Sequence, residues 1–351
     1  MIPLLIFVAL LIFVLAEAFL KPSAMKYFSI LISTLLGIFI AFSYFEILAA
    51  QLIKNGLIVN MAHMASLLLI FILSTLALSA VASIISKKDL NLPMWLKRAV
   101  SMSSSVLLCY LVTGMICVAF SMAPIGGKWL YPRVVAATQL RDGEIQSSSN
   151  LLKADDAITG LFSWVSSGAF SSGKNFRMYH ENFVDDCYIN KFHFGEDIGL
   201  IAGREALNVA GKTYYGPANK LIQTTKNERV DKSGEKNLHI IALRLNTRSS
   251  EKGGAAYNNM INFTTGQLRI ICSKGSDGKT ETVYPIGFLN QSGKMQQLGP
   301  VEIFDVRSTK VQGDNPLIKA VFDLPQGCKP AALAFKQNFI MELPRIEETE
   351  D

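Results

Sequence analysis

Acidic and basic side chains are missing from four long stretches of this 351-residue chain. Met1–Ala16, Tyr27–Phe45, Asn55–Ser86 and Ala99–Gly127 contain no Asp, Glu, Lys or Arg. Helical residues rise about 1.5 Å each, so roughly 20 apolar residues cross a hydrocarbon layer about 30 Å thick. The first third of the chain therefore has material for four membrane helices, and no comparable stretch follows. A basic segment is also missing ahead of the first stretch, which runs directly into a second apolar segment. The expectation is a retained helix rather than a cleaved signal peptide, although Ala16-Glu17-Ala18 fits a small-x-small cleavage site.

Familiar catalytic patterns are absent as well. There is no GxxxxGK[ST] phosphate loop, HExxH pair or GxSxG elbow, and no CxxC spacing. With only four histidines, the richest polar neighbourhood is His180, Glu181, Asp185, Asp186, Cys187, His193, Glu196 and Asp197. Its spacing fits no metal-ligand set, and it reads as a solvated stretch. No catalytic, cofactor-binding or metal-binding residue is assigned. A nucleic-acid partner is not expected either. Met1–Ala123 holds seven Lys/Arg and three Asp/Glu, leaving 27 and 25 for the remainder. The net +6 thus divides into +4 and +2, without the basic concentration that nucleic acid requires.

Of five cysteines, Cys109 and Cys117 lie in the fourth apolar stretch and read as small packing residues. Cys187, Cys272 and Cys328 follow it, and three thiols form at most one internal bridge. Cys272–Cys328 is the preferred candidate disulfide.

Basic residues in short loops mark the cytoplasmic side. Lys21 and Lys26 occupy the first connection and Lys54 the second. Lys87, Lys88, Lys97 and Arg98 stand against Asp89 in the third. Loops one and three are expected inside, with the N-terminus and everything after the fourth helix outside. Small residues permit close helix approach in lipid. Thr75, Ser79 and Ser83 form such a stripe on the third helix, and Gly114, Cys117 and Ser121 on the fourth. They serve either as an internal packing seam or as a self-association face. Glu17, Glu46 and His63 are the ionisable groups near the spans, and the two glutamates are placed at helix ends.

This order of elements resembles the CvpA family, the colicin V production proteins. The likeness covers about Met1–Pro124. It is carried by the basic link Lys21–Lys26, the second helix running into Ala41-Phe-Ser-Tyr-Phe-Glu-Ile-Leu-Ala-Ala50, and the hinge Asn91-Leu-Pro-Met-Trp-Leu-Lys-Arg98. Ser101 and Ser105 follow Arg98 at the spacings where family members carry glycines. The link after the first helix, Lys21-Pro-Ser-Ala, lacks the usual glycine. The resemblance implies a bacterial inner-membrane protein concerned with toxin production, secretion or envelope maintenance, and brings no catalytic residue.

The rest divides into a mixed juxtamembrane region (125–236), a β domain (237–346) and an acidic tail (347–351). Leu151, Leu152, Ile158, Leu161, Phe162 and Val165 recur at helical spacing, with Asn150 or Asp155 as cap. This amphipathic helix is expected against its own soluble domain, or alternatively with Trp164 on the outer leaflet. Ser171–Asn175 and Lys226–Glu235 read as loops, and the basic residues around Lys220–Arg229 as surface charge.

Strands are predicted over Leu238–Leu245, Gln267–Ser273, Glu281–Phe288, Val301–Arg307, Leu317–Leu324 and Asn338–Leu343. Turn signals stand at Gly275–Gly278, Gln291–Gly293, Gly313–Pro316 and Pro325–Gly327. An antiparallel sandwich follows. Val321–Pro325 followed by Ala332–Phe335 is similar to the last strands of immunoglobulin-like domains on bacterial surface proteins. The fold class is thus a four-helix membrane domain plus a mainly-β domain. The expected partners are the lipid bilayer and either further copies or other envelope proteins. The expected function is non-enzymatic, with an oligomeric channel or transporter component as the alternative.

Overall fold

The computed structural model describes residues 2–85, 92–127, 129–134, 148–167, 176–209, 215–217, 238–274, 279–306 and 316–343. Lys87, Lys88, Asp89 and Asn91 lie outside them, as do the expected loops Ser171–Asn175, Lys226–Glu235 and Gly275–Gly278. The basic residues of Lys220–Arg229, Arg307 and most of Gly313–Pro316 also fall outside. The chain forms two compact units.

Four helices, all long and apolar enough to cross a membrane, build the first unit: α1 (Ile2–Leu20), α2 (Ala24–Lys54), α3 (Ala62–Ile85) and α4 (Met94–Ser121). Their boundaries have local causes. Ser23 accepts the Lys26 amide at the start of α2. Ile58 takes a left-handed conformation (φ 43°) in the turn before α3. Pro93, with its ring-fixed φ, opens α4. At one end of the bundle Glu17 pairs with Lys26 at 2.7 Å, and Arg98 lies 5.0 Å over the Phe19 ring.

The tightest helix contact joins α2 to α3. A β-carbon placed on Gly37 would fall 2.2 Å from Thr75 Oγ1, so this approach requires glycine. Ser74 Oγ donates to Ile70 O at 2.7 Å and reaches Gly37 O at 3.4 Å. A fifth helix, α5 (Ala154–Ser167), belongs to the same unit. A β-carbon on Gly114 would meet Ala154 O at 2.5 Å and Ile158 Cδ1 at 2.6 Å. Phe162 stacks on Phe42 of α2 at 5.0 Å between centroids. This corrects the preferred expectation that α5 packs on the soluble domain. Its amphipathic pattern specified a buried face, and the surface that buries it is α2 and α4. Asn150 and Asp155 do not cap α5 as expected. Asn150 Oδ1 accepts the Lys153 amide in the preceding turn, and Asp155 lies inside the first helical turn.

The second unit carries two short helices, α6 (Phe176–Tyr179) and α7 (Phe183–Asn190), and twelve strands among the described residues. These are β1 (Leu207–Val209), β2 (Tyr215–Pro217), β3 (Leu238–Leu245), β4 (Asn262–Thr264), β5 (Leu268–Lys274), β6 (Lys279–Val283), β7 (Pro285–Leu289), β8 (Met295–Gln297), β9 (Ile303–Asp305), β10 (Leu317–Asp323), β11 (Cys328–Phe335) and β12 (Phe339–Glu342). One antiparallel sheet has the order β1-β3-β10-β7-β8, with β2 also on β3. A second runs β12-β11-β5-β6, and β4 pairs with β9.

Residues from both sheets share one core, including Ile241, Leu243, Phe322, Ile270 and Leu333. Four phenylalanines meet within it. Phe288 stacks on Phe304 at 4.0 Å, and Phe263 touches Phe304 at 5.1 Å and Phe335 at 5.4 Å. Ile318, Ala320 and Phe322 alternate into this core as expected. Val321 is nevertheless buried too, on the opposite face, against Leu238, Ile286 and Met295. On the second sheet, Tyr179 of α6 covers Ile271, Ala332 and Ala334.

Two strand assignments change. Glu281–Phe288 is not one strand but two, β6 and β7, in different sheets. Pro285 begins the second and has no amide to continue the first ladder. β11 is missing from the expected strands, Ala332–Phe335 entering only through the immunoglobulin-like resemblance, because Pro330 interrupts the run. The register shifts between Pro330 and Ala332, a bulge that accommodates the ring.

Gly37→Ala should lower the thermal midpoint of the detergent-solubilised protein. Adding Thr75→Ala should restore part of the loss, since the next side-chain contacts lie at 3.3 Å. A double-mutant cycle with no coupling between the two positions would show that α2 and α3 do not meet there.

Candidate functional site

Two buried ionic clusters stand out among the described residues, one in each unit. In the first unit, Arg133 contacts Asp156 at 2.8 Å and Asp155 at 3.8 Å, and donates to the Tyr131 hydroxyl at 3.1 Å. Tyr131 donates to Asp155 Oδ2, while Asn150 Nδ2 donates to Asp155 Oδ1 at 2.9 Å. Arg133 and Asp155 are 6% and 0% exposed. Both carboxylates occupy the first turn of α5, where the partial positive charge of the helix terminus adds to that of the guanidinium. The cluster ties the segment around Tyr131 to α5. Tyr110 fixes it to α4 by donating to Leu152 O at 3.0 Å.

The second cluster secures α7 to the second sheet. Asp186 forms an ion pair with Arg269 of β5 at 3.3 Å and accepts from the Tyr284 hydroxyl at 2.6 Å. Arg269 also donates to Lys336 O at 3.2 Å. Burial pushes the Asp186 carboxyl above the ordinary range, against the opposing pull of Arg269 and Tyr284. It pushes the Tyr284 hydroxyl well up as well, with the Asp186 charge adding to it. Nearby, Gln267 Nε2 donates to Asn190 O at 2.7 Å, joining the end of α7 to the same sheet. Lys336 is 1% exposed, with Nζ 3.4 Å from Ala255 O. Burial lowers its pKa to about 7.

The expected polar neighbourhood around residues 180–197 is dispersed rather than convergent. His180 lies between the Phe176 and Phe183 rings at 4.8 and 5.4 Å. His193 Nδ1 lies 3.0 Å from Glu196 Oε2 and its Nε2 2.8 Å from Val301 O. Cys187 is buried. Among the described residues, no three His, Cys, Asp or Glu side chains converge as a metal site.

The small-residue stripes separate. Thr75 is packed at Gly37, Ser79 is half-buried and Ser83 is exposed. Gly114, Cys117 and Ser121 are buried within the chain, Gly114 against α5. Ser101 and Ser105 are buried, whereas Arg98 is exposed. Glu46 is exposed, and His63 is buried with its ring 6.2 Å from that of Phe45. An apolar groove of about 280 Å³ draws on all four long helices, Val14, Ile30, Phe71 and Leu108 among them, and no charged side chain lines it.

Cys272 and Cys328 are buried free thiols on the adjacent strands β5 and β11. Burial pushes both upward.

No protein-family model, curated protein or solved structure matches the chain. The resemblance to the colicin V production proteins therefore rests on helix order and loop spacing alone. Neither buried cluster was singled out from sequence. Asn150 and Asp155 are noted there only as helix caps and Asp186 only as part of a polar neighbourhood, while Arg133, Tyr131, Arg269 and Tyr284 carry no local signal.

Arg133→Met should destabilise the first unit by roughly 3 kcal/mol, because two carboxylates lose their counter-charge. Thermal unfolding in detergent measures this, and an unchanged midpoint would refute the pairing. Lys336 has a separate signature. Its folded pKa is depressed, so the unfolded chain binds more protons between about pH 7 and 10.5. Its contribution to stability should rise with pH across that window. Lys336→Met should stabilise the protein near pH 7 and flatten the rise, read from unfolding midpoints as a function of pH.

Proposed function

We propose that this chain is a multi-pass membrane protein that acts by binding and assembly rather than by catalysis. The observation that supports this most is how its buried charges are used. Arg133, Asp155 and Asp156 close on one another, as do Asp186 and Arg269. Each cluster fastens one segment to another instead of facing a cleft where a substrate would react.

The charge-free helices supply the anchor, and the mainly-β unit supplies the surface offered to a partner. That unit is read as an immunoglobulin-like sandwich. In keeping with this, consecutive strands β10 and β11 lie in different sheets, joined through Pro325–Gly327. Loop charges favour a periplasmic β unit, in a bacterial inner membrane if the colicin V production resemblance holds. Toxin secretion or envelope maintenance is the corresponding cellular role. The runner-up, a channel or transporter component, draws on Ser79 and Ser83, since Thr75 is engaged within the chain.

Chemical cross-linking in intact cells, followed by detergent extraction and mass spectrometry, should recover a homo-oligomer or a second envelope protein joined through the β unit. Recovery of the monomer alone would overturn the assembly reading. A C-terminal alkaline phosphatase fusion should be active, and an inactive, stably expressed fusion would reverse the orientation.

A further inference from the structure

The position of α5 along its neighbours has a consequence for lipid. On α2 the charge-free stretch runs from Tyr27 to Phe45 and is closed by Lys26 at one end and Glu46 at the other. Its 19 residues span about 28 Å, the thickness of a hydrocarbon layer. Phe39 and Phe42, both in contact with Phe162 of α5, lie seven and four residues short of Glu46. At ~1.5 Å per residue they sit ~10 and ~6 Å inside the apolar layer.

Helix α4 gives the same answer independently. Counting ~20 residues from Arg98 brings the far edge of the layer to Val118. Tyr110 and Gly114, which hold Leu152 and Ala154, lie eight and four residues short of it. That places them ~12 and ~6 Å inside. Both neighbours thus hold α5 below the surface of the leaflet opposite Lys26 and Arg98.

The outward side of α5 and of the turn before it suits that depth. Leu151 is 85% exposed and Trp164 73%. Ala157 and Gly160 lie exposed between them. An embedded segment must also neutralise its own charges. Arg133 offsets one of the two carboxylates, Tyr131 and Asn150 donate to buried Asp155, and Asp156 stays partly open to the surface. Lys153 faces outward, on a four-carbon stem long enough to lift its ammonium toward the headgroups.

We propose that α5 is a fifth membrane-embedded helix that does not cross: it lies within one leaflet, with Leu151 and Trp164 against phospholipid acyl chains. This rests on the membrane reading of α1–α4.

The test is carbene photolabelling of the full-length wild-type protein in phosphatidylcholine–phosphatidylglycerol vesicles, using a hydrophobic probe dissolved in the bilayer. Peptide mapping should find label on Leu151–Ser167 as well as on α1–α4. Label on α1–α4 with none on Leu151–Ser167 would overturn the proposal while leaving the four spans intact. Label on none of the five would overturn the membrane reading and the proposal together. A second readout uses Trp95→Phe/Trp129→Phe, which leaves Trp164 as the sole tryptophan. Chain-brominated lipid should quench at least half of its emission, and aqueous iodide should leave it unchanged. Quenching by iodide, or only by a headgroup-level quencher, would place α5 at the surface and overturn the proposal.

Discussion

The cost of leaving a polar or charged group without a partner away from water governs the first unit. A helix answers it for the backbone, because every internal amide finds a carbonyl four residues back. Side chains answer it by absence, through stretches such as Tyr27–Phe45 that carry no charge. Where charge does enter the unit's interior, at Arg133 and Asp155, it arrives with counter-charge and hydrogen-bond partners already in place. Hydrophobic burial between helices contributes little when the surroundings are equally apolar, so close fit takes over. Gly37 and Gly114 mark where that fit is tightest. In both cases a single methyl group would collide with the facing helix.

In the second unit the balance shifts to burial of apolar surface between sheets. The phenylalanine cluster joins strands far apart in the chain, from Phe263 to Phe335. Polar groups there take a directional role. The Asp186 carboxylate accepts from a tyrosine and faces an arginine, both on strands or at their margins, and so sets where α7 rests.

How much of this was legible in the sequence depends on the range of the signal. Absence of charge over 19 residues in Tyr27–Phe45 is a long, coherent signal, and all four long helices fall where it predicts. Alternation in Ile318–Phe322 is equally direct, and the strand appears. The α5 pattern states only that one face is covered, so its partners on α2 and α4 could not be read. Three-residue strands such as β1 and β4 carry too few positions for a period. The ionic clusters were illegible for a plainer reason. Tyr284 and Asp186 stand 98 residues apart, and no local spacing records such a meeting.

The Arg269 guanidinium has one further implication. It faces Asp186 on α7 and, through a separate nitrogen, holds the carbonyl of Lys336 in the bend between β11 and β12. The helix and the hairpin never touch through this link, yet they share one guanidinium. Detaching either frees the guanidinium to swing and weakens its hold on the other, an ion pair in one case and a hydrogen bond in the other. The two segments should therefore fray in concert, so that slow hydrogen exchange in the hairpin amides reports whether the helix is seated.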